Sequence, residues 1–152
     1  MKRLNLLLAG LVCFASVSCS DDDKTSAIDN TSAKAIESTM VKGSWRITSF
    51  KENGTDETAN FAGYKFTFKN TDNPRVIAVT NGTNNYSATW WVNISNDNDG
   101  GNNSNFVISF NNPEEFEVLN GDWDIVSRSG NTFNLEETNE DGTVDHLSFA
   151  KN

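Results

Sequence analysis

Apolar and polar residues alternate with a period of two along most of the chain after residue 43. The apolar members of the three clearest stretches are Tyr64, Phe66 and Phe68; Tyr86, Ala88, Trp90, Val92 and Ile94; and Phe106, Ile108 and Phe110. Residues between them are mainly Lys, Thr, Ser and Asn, with Trp91 and Val107 as apolar exceptions. This alternation is typical of antiparallel strands that bury one face and expose the other to water.

Short turn sequences separate these stretches at regular intervals. They are Asn53-Gly54, Asn73-Pro74, Asn81-Gly82, Gly100-Gly101, Gly130-Asn131 and Asp141-Gly142. The predicted strands are approximately 44–52, 62–70, 74–80, 84–94, 104–111, 122–129, 131–137 and 144–150. Eight short strands joined locally predict an all-β fold. We expect an eight-stranded antiparallel up-and-down barrel, which removes its open edges by closing on itself.

A short helix is predicted just before the first strand, within residues 32–42. Ile36 and Met40 are four residues apart and therefore share one helical face. Gly43 ends this segment, as glycine commonly does after the last helical turn.

Residues 112–121 do not fit the strand period and favour a short helical turn. The segment opens with an asparagine as expected N-cap and a proline as first helical residue, and Phe116 and Leu119 share a helical face. The alternative is a hairpin that turns at Asn-Gly near its end and pairs Val118 with Trp123.

The first eighteen residues are typical of a secretory signal peptide. A basic start is followed by an apolar run of about a dozen residues and a small-residue exit. That run is shorter than the ~20 residues a transmembrane helix needs. We therefore expect residues 1–18 to be removed on export.

The end of this signal, Ser16-Val17-Ser18-Cys19, resembles a bacterial lipobox, although the family commonly has an aliphatic residue at the position of Ser16. The resemblance implies that Cys19 receives palmitate-type acyl chains, and two or more such chains hold a protein stably on a membrane. The following Ser20, Asp21, Asp22 and Asp23 resemble the export tag of Bacteroidetes lipoproteins. The implied location is the outer membrane with the protein facing the cell exterior. Residues 19–33 would form the tether and 34–152 the folded domain.

The charge balance limits the classes of binding partner that the protein can have. The chain of 152 residues has 12 basic and 21 acidic residues. Loss of Lys2 and Arg3 with the signal leaves 10 basic against 21 acidic residues, a net charge of −11. This acidity excludes nucleic-acid binding through phosphate neutralisation and disfavours attraction of a basic patch to anionic lipid. With Cys13 removed and Cys19 lipidated, neither a disulfide nor a thiolate metal site is expected, and we expect no cofactor.

Gly43-Ser44-Trp45 at the start of the first strand resembles the Gly-x-Trp motif of lipocalins, and the resemblance covers residues 43–151. In that family the tryptophan plugs the closed end of the barrel beneath a basic residue from the last strand. The resemblance implies this role for Trp45, with Lys151 as the basic residue and Arg128 as second candidate. It is strongest to small lipocalin-like lipoproteins of Bacteroidetes.

Large aromatic residues would converge inside such a barrel, where they either line a ligand cavity or form a packed core. The candidate lining residues are Tyr64, Phe66, Phe68, Tyr86, Trp90, Phe106, Phe110 and Trp123. Trp91 points away from Trp90. It is therefore either covered by the N-terminal helix or exposed as a contact residue.

Residues that could carry catalysis or bind metal are sparse. Residues 97–101 match a calcium loop only in part, and His146, the single histidine, has no partner set for catalysis. We expect a protein that is not an enzyme. One hypothesis is a membrane-tethered barrel that binds a small apolar or amphipathic molecule. The other is a surface protein with a solid barrel that contacts a protein or glycan partner.

Overall fold

The computed structural model of the chain describes residues 33–96 and 102–152. Two helices are present within these residues, α1 (Ala33–Met40) and α2 (Glu114–Glu117), with a single 3₁₀ turn at Thr58–Phe61. The strands are β1 (Trp45–Glu52), β2 (Thr55–Asp56), β3 (Lys65–Lys69), β4 (Val76–Thr80), β5 (Asn85–Asn96), β6 (Asn102–Phe110), β7 (Gly121–Arg128), β8 (Thr132–Thr138) and β9 (Val144–Lys151).

The strands form a closed antiparallel barrel. Consecutive strands from β3 to β9 pair with one another, and β9 returns to pair with β1 from Trp45↔Lys151 to Lys51↔His146. The prediction of an eight-stranded up-and-down β-barrel, consistent with a lipocalin-like fold, is therefore confirmed. Strand β2 is a short addition that pairs with the end of β1, and it is not one of the eight strands that close the barrel.

The connection between β1 and β3 differs from the predicted boundaries. Asn53 and Gly54 adopt φ values of 50° and 80°, which suit a two-residue hairpin turn, and this turn pairs β2 with the end of β1. The 3₁₀ turn follows, so the strand predicted at approximately 62–70 is shorter and runs from Lys65 to Lys69. β1 and β3 share only the Trp45↔Phe66 register pair. Beside this short pairing of β1 with β3, the rings of Phe50 and Phe61 pack edge-on with their centroids 5.5 Å apart.

Helix α1 covers the end of the barrel where β1 begins and β9 ends. Ile36 and Met40 are fully buried against the core, as expected from their four-residue spacing. Gly43 then takes φ 90°, a left-handed conformation that suits glycine and turns the chain into β1.

Helix α2 covers the opposite end, and the predicted helical turn is confirmed. Phe116 and Leu119 are both fully buried. The predicted N-cap was wrong: Pro113 occupies that position in an extended conformation, and no side chain caps the helix. Val118 is exposed, and the Trp123 indole donates a hydrogen bond to the Leu119 carbonyl at 3.0 Å. The alternative hairpin is therefore not formed.

The core is a single cluster that fills the barrel between α1 and α2. Its large members come from the inward positions of the strands, which explains the period-two pattern. Among the described residues, we find no helix long and apolar enough to cross a membrane.

Candidate functional site

The aromatic residues predicted to line a cavity lie in the packed interior. Seven of them, Tyr64, Phe66, Phe68, Trp90, Phe106, Phe110 and Trp123, are buried, whereas Tyr86 is half-buried. Their rings meet at close range. Phe68 lies edge-on to Trp90, Phe106 and Phe149 with ring centroids 5.5, 5.7 and 5.9 Å apart. Contacts of this kind are typical of a filled core.

Phe116 of α2 occupies the barrel end opposite α1. Its ring centroid lies 5.1 Å from Tyr64, 5.2 Å from both Tyr86 and Phe110, and 5.4 Å from Phe61. With Phe66, whose ring centroid is 6.2 Å away, this one side chain contacts five aromatic residues. A ligand entering the barrel from this end would have to displace it.

At the other end, the indole of Trp45 is fully buried and held on two sides. Its Nε1 donates a hydrogen bond to the Met40 carbonyl at 2.8 Å, which links β1 to α1. The ammonium of Lys151 lies 5.2 Å from the ring centroid, within cation–π range. Lys151 is also the register partner of Trp45 in β9, and its carbonyl accepts a hydrogen bond from Arg46.

Arg128, the second basic candidate, contacts helix α1. Its guanidinium donates to the Thr39 hydroxyl at 3.1 Å, while Nε and Nη2 are buried without a hydrogen-bond partner. Burial lowers the pKa of Arg128. The structure therefore brings Trp45 together with Lys151 and places Arg128 against the helix end, where a cation favourably opposes the helix dipole.

Trp91 is the large aromatic residue that stands out on the described surface. Its side chain is 39% exposed, so of the two alternatives it is the exposed one. Its register partner on β6, Val107, also faces outward yet is only 6% exposed. Trp91 therefore has an apolar register partner on the outer side of the barrel.

A cleft of about 480 Å³ opens beside Trp91, between β5 and the turn that joins β3 to β4. This volume lies in the range of small-molecule sites. Polar and aromatic residues share its lining, which consists of Asn70, Asp72, Asn73, Pro74, Arg75, Trp90 and Trp91. We refer to it as the Trp91 cleft.

The turn that forms one wall of the Trp91 cleft is fastened to β5 at both ends. The Trp90 indole donates to the Lys69 carbonyl at 3.0 Å, and the Trp90 amide donates to the Arg75 carbonyl at 3.2 Å. The Arg75 guanidinium lies 5.8 Å from the Trp90 ring centroid and forms a 2.9 Å ion pair with Glu37 of α1. Sequence analysis missed Glu37 and Arg75, because nothing in their local sequence shows that α1 approaches this turn.

A second cleft of about 370 Å³ lies near the α2 end, lined by Asn85, Tyr86, Ser87, Asn111 and Asn112. Burial and a hydrogen bond with Tyr64 raise the pKa of Tyr86. This cleft has no exposed indole in its lining, so it offers less apolar surface to a ligand.

Other polar groups form local structural contacts. His146 Nδ1 lies 3.1 Å from a Glu136 carboxylate oxygen, and both side chains are exposed. Burial, partly opposed by a hydrogen bond from the Asp122 amide, raises the pKa of Glu137. Within residues 33–96 and 102–152, no group of three or more His, Cys, Asp or Glu could hold a metal ion.

Several predictions fall on parts of the chain outside the described residues. They are the signal peptide at 1–18, lipidation of Cys19, the export tag at Ser20–Asp23, most of the 19–33 tether and the partial calcium loop at 97–101. Comparison of the chain with protein-family models, with curated protein sequences and with solved structures found no match.

Proposed function

We propose that this protein is a lipid-anchored surface protein that binds an external partner through the Trp91 cleft, with the barrel as a rigid scaffold. This is the second of the two sequence hypotheses. The observation that carries it is the contrast between a barrel interior filled with aromatic rings and an outer cleft beside an exposed tryptophan.

The packing of the interior supports a scaffold role. α1 buries Ile36 and Met40 at one end, and α2 buries Phe116 and Leu119 at the other. Binding of a small apolar molecule inside the barrel, the first hypothesis, would require Phe116 to leave its contacts with five aromatic rings. Native interiors are packed densely, so such a displacement costs stability.

The anchoring part of the proposal rests on the residues around Cys19. A lipid-tethered domain with a net charge of −11 would not lie flat on an anionic membrane surface. The tether would hold the barrel at the membrane while leaving its side walls accessible. A contact site on the wall between β3 and β5 is compatible with that arrangement.

Site-specific photo-crosslinking on intact cells tests the proposal. A benzophenone amino acid is placed at position 91, and in a matched control at Val126, which is 54% exposed on β7. We expect adducts with material outside the cell from position 91 and not from position 126. Equal labelling from both positions, or none from either, would contradict a contact site at Trp91.

Native mass spectrometry of the protein from its own cells separates the two hypotheses. A solid barrel predicts the mass of the lipidated chain alone. A small apolar adduct that survives in wild type would favour the barrel-ligand hypothesis instead.

A further inference from the structure

We infer that the Trp91 cleft is a saccharide-binding site for neutral glycans. This inference rests on the proposed function and names the class of its partner. A saccharide has C–H groups on the faces of its rings and hydroxyl groups around their edges. A site for it therefore needs an apolar aromatic face beside side chains that both donate and accept hydrogen bonds.

The aromatic face is Trp91. The face of an indole ring is electron-rich and attracts the weakly positive C–H groups of a sugar. Its exposed fraction of 39% leaves part of the indole available to a ligand. An indole has only two side-chain torsion angles, so it loses little conformational entropy when a ligand stacks on it.

The hydrogen-bonding groups are Asn70, Asp72 and Asn73. All three are exposed, and in the described part of the chain their side chains form no hydrogen bond with the protein. Each asparagine amide carries two donors and an acceptor, and the carboxylate accepts, so together they match hydroxyl groups that do both.

The cleft is held in shape before any ligand arrives. Trp90 binds the Lys69 and Arg75 carbonyls, and Arg75 is fixed by Glu37. The amide side chains are thus carried on a turn fastened at both ends. A preformed site loses less free energy on binding than one that must be ordered.

Charge selects neutral saccharides over acidic ones. Glu37 already neutralises Arg75 at 2.9 Å, which leaves the Asp72 carboxylate as the unpaired charge in the lining. The whole chain has a net charge of −9. Both features repel uronic or sialic acids, whereas a neutral ring meets no such repulsion.

A glycan array that carries neutral oligosaccharides together with uronate-containing and sialylated ones tests the inference on the full-length protein. We expect binding to neutral glycans. Trp91→Ala should weaken it at least about tenfold, since it removes the main aromatic contact. Asn73→Ala should weaken it about fivefold, the effect of one lost hydrogen bond. Val126→Ala, which removes a more exposed apolar group elsewhere on the barrel, should bind as the wild type does.

The Trp91→Phe variant and the crosslinking experiment distinguish the possible causes of a loss of binding. Trp91→Phe retains a ring and should retain part of the binding, which excludes loss of folding as the cause. No binding to any glycan, preference for acidic glycans, or binding unaffected by Trp91→Ala would overturn the inference. If position 91 crosslinks a protein partner while the array is negative, the proposed contact site stands and the saccharide inference fails. If both assays are negative, both fail.

Discussion

Replacement of Trp45 by alanine tests whether this buried indole stabilises the closed end of the barrel. The indole is fully buried, so its removal leaves a cavity that the surrounding β-structure cannot easily fill. Emptying a large aromatic site costs about 3–5 kcal/mol. We expect a value near the upper end, because the hydrogen bond to Met40 and the cation–π contact with Lys151 are lost as well. This is a large part of the ~5–15 kcal/mol that typically stabilises a domain.

The assay is urea denaturation followed by far-UV circular dichroism, which does not depend on the tryptophan being replaced. Trp45→Phe keeps an aromatic ring but loses the N–H donor, so it should cost less than Trp45→Ala. Trp91→Ala removes a partly exposed indole and should cost less than about 1.5 kcal/mol. If Trp45→Ala unfolds within about 1 kcal/mol of the wild type, the buried contacts of Trp45 do not stabilise the closed end of the barrel.

Four further outcomes are expected. Cys19→Ala should abolish labelling by an alkyne fatty acid, and replacement of all three aspartates at 21–23 by alanine should leave the protein lipidated but protected from protease added to intact cells. Phe116→Ala should lower the free energy of unfolding by about 3–5 kcal/mol, whereas the exposed Val118→Ala should change it little. Burial raises the pKa of Glu137 above its ordinary value of 4.5, so ionisation of this carboxyl at higher pH destabilises the folded state. The stability of Glu137→Gln relative to the wild type should therefore increase in urea titrations as pH rises above about 4.5.

Each of these predictions would be contradicted by a specific result. Label on the Cys19→Ala protein would show that another residue is acylated, and equal proteolysis of the aspartate variant would reduce the acidic run to a linker. A Phe116→Ala protein as stable as Val118→Ala would mean that α2 does not seal the barrel. A pH-independent difference between Glu137→Gln and wild type would show that this carboxyl is not desolvated in the folded state.

The eight strands of the barrel are predictable because they have one buried and one exposed face. Phe66 and Phe68 alternate with lysine and threonine, and the turns between strands carry Asn, Gly or Pro. β2 is different: two exposed residues, Thr55 and Asp56, pair with β1 only because Asn53-Gly54 folds the chain back on itself. A strand with no buried face has no periodic signal, so only the turn chemistry could have indicated it.

The Trp91 cleft illustrates what local pattern cannot provide. The sequence distinguishes Trp91 from Trp90 by the side of the strand on which each lies, and that distinction needs only the period of two. The cleft itself depends on Arg75 meeting Glu37, residues 38 positions apart on a turn and a helix. Their approach follows from α1 closing the barrel end, which in turn depends on Ile36 and Met40 being buried. Residues that shape a site through such long-range contacts become visible only once the closed barrel has brought them together.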